Sequence, residues 1–302
     1  MSKKERTDMW GKPYKKGRLD RHDAHYVEMP LILRLCTYIK DRMDADVYIN
    51  KKVDCTNLVK YMEKKKKENS DITYFHALSQ ACAKVVYNKP RLNRFIINHR
   101  CYERDNVSMA FVAKVNFGDD AKEVMSLVDI KPEDNIDDIS KTIKKMVNDL
   151  RKAKQNSTDD SLEKLNKLPT PLLNIVGRLL LWLDKKDKLP ASLNDSLIYN
   201  ASMILSNLGS IHCGAIYHNI SDFGSNSILI TFGEIHDEPV AVNGKVEVRP
   251  VMEIGATLDE RIADGAYMSK SVNLLEHILT HPELLEDKAS EEIQETSPFR
   301  YE

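Results

Sequence analysis

Between Val248 and Leu258 every second residue is apolar or Pro: Val248, Pro250, Met252, Ile254, Ala256 and Leu258. A period of two over that length predicts an extended strand with one face in a core. Just upstream, "HDEPVAVNGKVEV" contains Asn243-Gly244, a pair suited to the positive φ values of a tight hairpin turn. The segment before it, "NSILITFGEI", reads as a short buried strand. The alternating stretch runs straight into "LDERIADGAY", a charged turn that ends in Asp-Gly. A helix follows to about Thr280, with Met268, Val272, Leu275 and Leu279 on one face. A chain with this ending has to place an amphipathic helix against a sheet.

The rest of the chain repeats the alternation of element types. Residues 1–28 are polar and basic and read as an N-terminal arm carrying Trp10, Tyr14 and Tyr26. Pro30 to Arg42 reads as a helix. "DVYINKKVD" reads as a strand, and Asp54 or Thr56 is placed to cap the helix after it. Residues 71–88 form the clearest helix, with Phe75, Leu78, Cys82 and Val85 on one face and Lys89-Pro90 as its stop. "RFIINHRCYERDNVSMAFVAKVNF" reads as two or three strands, and "KPEDNIDDISKTIKKMVNDLRKAK" as a long amphipathic helix. After the polar connector "QNSTDDS", residues 171–184 are helical. "LIYNASMILS" reads as a strand with Leu197, Tyr199, Ala201, Met203 and Leu205 on one face. Residues 286–302 form an acidic C-terminal tail. Interspersed helices and hairpin-like strand pairs, with no repeat, predict an α+β or mixed α/β layered domain over residues 29–285.

Composition narrows the function classes. Hydrophobic residues make up 42% and charged residues 30% of the 302, the balance of an ordinary globular chain. The net charge of -1 excludes a globally basic nucleic-acid binder. Five cysteines, Cys36, Cys55, Cys82, Cys101 and Cys213, are widely spaced with no CxxC pair. That pattern fits a reducing cytoplasmic location better than a disulfide framework or a structural zinc site. The start "MSKKERTDMW" has no apolar core of the kind a secretory signal needs. "PLLNIVGRLLLWL" is too short to span a bilayer and contains Arg178, so no membrane partner is expected. There is no GxGxxG, P-loop, GxSxG or HExxH, and the His22/His25 and His277/His281 pairs sit in polar segments, so no metal site is expected.

Three stretches remain: "LSNLGS" (205–210), "NSILITFGEI" (226–235) and "LDERIADGAY" (258–267). In this order and spacing they resemble the catalytic domain of the 2-oxo acid dehydrogenase acyltransferases, whose fold also serves chloramphenicol acetyltransferase. That family carries a Ser-Asn/Ser-Leu/Ile-Gly strand and then Asp-His-Arg-x-x-Asp-Gly-Ala at a strand-to-helix corner. Upstream, "ITYFHALSQACAKVVYNKPRLN" and "DVYINKKVDCTNLVKYM" resemble its helix and first strand. The resemblance spans roughly residues 20–285. One departure stands out: Glu260 occupies the place of the signature His, while Asp259, Arg261, Asp264, Gly265 and Ala266 keep the pattern.

The resemblance implies a two-layer α/β sandwich with a mixed sheet. It also implies a homotrimer with its active site between subunits, and coenzyme A or acyl-CoA as co-substrate. No covalent lipoyl group, metal or nucleic acid is implied, and the acceptor would be a small molecule. Acyl transfer needs a base for the attacking group and a donor for the oxyanion. By resemblance Glu260 stands where the base stands, Ser206 is the oxyanion donor, and Asp264 holds the corner, with Arg18 or Arg21 as its partner. Asn207, Gly265 and His212 are placed at the substrate. An ordinary Glu titrates near about 4.3 and His near about 6.5, a deficit of roughly 3 kcal/mol in proton-transfer driving force. Burial can raise a Glu to about 6–7. Two readings therefore follow: a working CoA-thioester-dependent acyltransferase, or a catalytically silent trimeric relative that binds a ligand or serves as a scaffold. On residues alone, Asp264 also suits a plain helix cap.

Overall fold

The structure is a computed structural model and describes residues 6–39, 41–68, 70–114, 123–153, 169–189 and 198–294. The expected alternation of strands and helices is present. Its centre is a six-stranded mixed sheet built from β4 (Asp46–Asp54), β7 (Val107–Lys114), β8 (Glu123–Ile130), β9 (Met203–Asn207), β10 (Ile228–Val242) and β11 (Lys245–Asp259). The spatial order is β4-β11-β10-β9-β7-β8. β9 runs parallel to both β10 and β7, and all other pairs are antiparallel. The β10–β11 hairpin turns at Asn243 (φ 50°) and Gly244 (φ 78°), as the sequence predicts. Its first strand is much longer than expected, because Pro239 to Val242 continue the ladder beyond the buried part.

Among the described residues six helices accompany the sheets: α1 (Leu31–Ile39), α2 (Thr56–Lys67), α3 (Tyr74–Asn88), α4 (Ile136–Ala153), α5 (Thr170–Lys185) and α6 (Gly265–Thr280). Ile49, Ile228, Ile230, Ile254, Ala256 and Leu258 face Cys82 and Val85 of α3 and Leu275 of α6 across the main core. The sequence gives α3 one apolar face, yet the structure buries it on every side from His76 to Tyr87. Its polar residues are met by the chain after α6. Gln80 Nε2 donates to the Asp287 carbonyl at 2.9 Å, and Lys84 Nζ donates to the Lys288 carbonyl. Burial pushes the Lys84 ammonium below its ordinary range.

A second sheet, ordered β3 (Ala24–Val27), β6 (Arg100–Arg104) and β5 (Arg94–Ile97), flanks the first, and β1 (Arg6–Thr7) pairs with β2 (Pro13–Tyr14). This N-terminal segment is tied down by ion pairs and hydrogen bonds. Asp105 takes Arg6, Tyr14 and His25, and Asp187 takes the His22 ring and backbone. The strand expected over 197–205 is shorter than its alternation. Ile198–Asn200 instead forms a 3-10 turn, whose Tyr199 carbonyl accepts from Ser225 and Asn226 at 2.9 and 2.7 Å.

Five histidines give stability a defined pH dependence: His22, His25 and the exposed His236 are shifted up, and His76 and His277 down. The Asp187 hydrogen bond raises the His22 pKa, and the Asp105 hydrogen bond raises that of His25. Their contribution is complete below about 6.5 and is lost as pH rises through the folded-state values. Burial lowers His76 to about 4, and its Nδ1 accepts from the Thr73 backbone. That contribution is present above about 6.5 and is lost as pH falls toward 4. The Tm is therefore expected to peak near pH 6.5, the ordinary histidine value. A His22→Gln, His25→Gln double variant should lose most of the decline above the peak and keep the acid limb, since the remaining raised histidine, His236, is exposed. An unchanged alkaline decline would refute this assignment.

Candidate active site

The stretch "LDERIADGAY" folds as a rigid corner between β11 and α6. Asp259 is fully buried, and Arg261 forks onto it: Nε to Oδ1 at 2.8 Å and Nη2 to Oδ2 at 2.7 Å. The Arg261 backbone amide donates to the same Oδ1 at 3.0 Å. The Asp259 amide reaches the Ser227 carbonyl at 3.0 Å, and the Glu260 amide reaches the Ala45 carbonyl at 2.9 Å. Burial lowers the Arg261 pKa, but the Asp259 hydrogen bonds and charge outweigh it, so the value lies above the ordinary one. Arg42, buried beside this pair, is pushed down by desolvation. The side chain of Glu260 is half-buried at the corner's surface.

Asp264 is the N-cap of α6 and accepts from the Tyr267 amide at 2.9 Å. Its ion-pair partner is Arg91, at 3.5 Å, and not Arg18 or Arg21. Arg21 is held elsewhere by Asp23, Asp184 and Asp187, because β3 carries the N-terminal segment away to the second sheet. Gly265 has neither a positive φ nor a close neighbour: a Cβ there meets nothing within 4 Å.

The Ser-Asn-Leu-Gly stretch begins on β9, two strands from β11. Ser206 sits half-buried near the end of β9 and is in register with Thr231, which is in register with Gly255. Gly255 precedes Glu260 by five residues, roughly 17 Å of extended chain. The chain therefore does not bring Ser206 and Glu260 together. After Asn207 it turns through Leu208–Ile211 over a bulge in β10 at Gly233 and Glu234. Here glycine is a steric requirement, since a Cβ at Gly209 would lie 2.8 Å from the Gly233 carbonyl oxygen. His212 follows in the left-handed region (φ 56°), with Nδ1 at 3.0 Å from Glu234 Oε2. Among the expected site residues, Asn207 and His212 share one cleft, together with Glu234, Thr73, Tyr74 and Phe75. Its volume is about 570 Å³, enough for a sizeable small molecule. Glu234 and the start of α3 were missed in the sequence. The available signal was Gly233 inside a strand pattern, which marks bulges and close backbone approaches.

Residues 190–286 match the family model of the 2-oxoacid dehydrogenases acyltransferase (catalytic domain). In fold, the chain is similar to a probable dihydrolipoamide acetyltransferase from Listeria monocytogenes, with a TM-score of 0.57 and 16% identity over 88% of this chain and 96% of that one. The cubic core of the pyruvate dehydrogenase multienzyme complex gives 0.51 at 16% identity, over 86% and 93%. Chloramphenicol acetyltransferase gives 0.53 at 13% identity, over 85% and 99%. In sequence over residues 190–286, and in mixed α/β fold over most of its length, the chain is similar to the catalytic domain of the 2-oxoacid dehydrogenase acyltransferases.

Proposed function

We propose that this protein transfers an acyl group from a coenzyme A thioester to a small acceptor, at a site completed between copies of the chain in a trimer. The observation that carries the reading is the separation of Ser206 from Glu260: Ser206 lies on β9, two strands from β11 and level with Gly255, five residues short of Glu260, and each is half-buried. A head-to-tail ring places one copy's corner against the next copy's β9 end. In the reaction, Glu260 takes the proton from the acceptor as it attacks the thioester carbonyl. The Ser206 hydroxyl donates to the oxyanion of the tetrahedral intermediate. Collapse breaks the carbon–sulfur bond, and the thiolate of coenzyme A recovers the proton. Asn207 and His212, with the cleft between them, hold substrate in this scheme, and Gly265 leaves the corner open to it.

One observation favours a silent scaffold instead. Asp264 caps α6 and Asp259 holds Arg261, so both acids of the corner have a structural role without catalysis. Thermal unfolding with coenzyme A, acetyl-CoA and longer acyl-CoAs separates the two. A ligand at about a hundred times its dissociation constant stabilises the native state by about 2.7 kcal/mol, a rise of several degrees in Tm. A rise selective for one acyl chain, with release of free thiol that Glu260→Ala abolishes, supports the transferase. No shift with any thioester favours the scaffold.

A further inference from the structure

We propose that α1 and α5 form a docking surface for an anionic lipid bilayer, on which the chain rests without crossing it. Both helices expose large apolar side chains: Leu31, Ile32 and Ile39 on α1, and Ile175, Leu179 and Trp182 on α5. Ile39 is 79% exposed and Ile175 65%, values far from those of a packed helix face. The C-terminal ends of both helices are pinned to one turn of the second sheet. His99 Nδ1 lies 2.8 Å from the Thr37 carbonyl, its ring stacks on Tyr38 at 4.0 Å, and Asn98 donates to the Lys185 carbonyl. The C-terminal ends of the two apolar helices thus meet at the Asn98–His99 turn.

Charge identifies the occupant. The exposed charged residues of these helices are basic: Arg34 on α1, Arg178 and Lys185 on α5, with Lys186 next in the chain. Their only acid, Asp184, is buried within 3.8 Å of Arg21. The exposed acids near α1, Glu28 before it and Asp41 after it, lie outside the helix, and Asp41 acts on Arg261 at the corner. Apolar side chains with an aromatic ring and one-signed basic charge are what an interfacial helix offers to anionic headgroups. A second copy applying this same face would set like charges against each other, and the head-to-tail ring proposed above joins the corner to the β9 end, not this face to itself. Among the described residues no helix is long and apolar enough to cross a membrane, so the contact is interfacial. Both helices lie outside residues 190–286, so this inference does not depend on the acyl-transfer reading.

The test is co-sedimentation of the full chain with phosphatidylcholine vesicles, with and without about 30 mol% phosphatidylglycerol. Binding is expected on the anionic vesicles, with a blue shift of tryptophan emission that Trp182→Phe removes. Lys185→Gln with Lys186→Gln should weaken binding by about 25-fold, at about fivefold per basic side chain. Ile175→Glu, at an exposed position, should weaken it without lowering Tm. Equal or absent binding to the two vesicle types overturns the proposal. So does an Ile175→Glu variant that still binds vesicles, or one that breaks an oligomer in a protein that binds none.

Discussion

Asp259→Ala is expected to destabilise the fold by about 3–5 kcal/mol, seen as a fall of roughly 10 °C in Tm. The reason is what the substitution leaves behind. Arg261 is 6% exposed, and its guanidinium is met by Asp259 through two of its nitrogens. Without the carboxylate, a buried cation has lost its bidentate partner, and the nearby Arg42 becomes an uncompensated like charge. The Arg261 amide loses its acceptor as well, which loosens the turn that carries Glu260. Removing both charges with Asp259→Leu and Arg261→Met should recover much of the loss, because an apolar pair of similar volume carries no desolvation penalty. A single-variant loss below about 1 kcal/mol, the range of an exposed pair, would show that water reaches this corner.

This pair also shows how far the sequence could be read. Asp259 and Arg261 are two residues apart, so their pairing is local, as is the Asp264 cap on Tyr267. The Asn243-Gly244 turn and the alternation in β11 are likewise set by neighbours in the chain, and both appear as expected. The misreadings arise where distant segments decide. Nothing near Asp264 in sequence announces Arg91. The alternation of "LIYNASMILS" is overruled at Tyr199 by two amides from residues 225 and 226. The burial of Gln80 and Lys84 depends on carbonyls about two hundred residues later. The cleft beside His212 is of the same kind, since it joins β9, the β10 bulge and the start of α3.

Ser206→Ala is expected to lower kcat by about 10²- to 10³-fold, the usual loss when one oxyanion donor is removed. Glu260→Ala removes the proposed base and should be comparably inactive. The two variants together say more than either alone. Within one chain Ser206 is level with Gly255, roughly 17 Å of extended strand from Glu260 and two strands away from β11. If each site takes its serine from one copy and its glutamate from the next, mixed trimers contain intact sites although every chain is defective. With equal amounts of both variants and free exchange, half of the serine donors and half of the glutamate donors are intact. About one quarter of the interfaces then carry both, and activity should return to about a quarter of the wild-type level. Sites confined to single chains would stay dead at every mixing ratio. A return to about a quarter would place the reaction between subunits, and continued silence despite proven exchange would remove the interfacial site from the scheme.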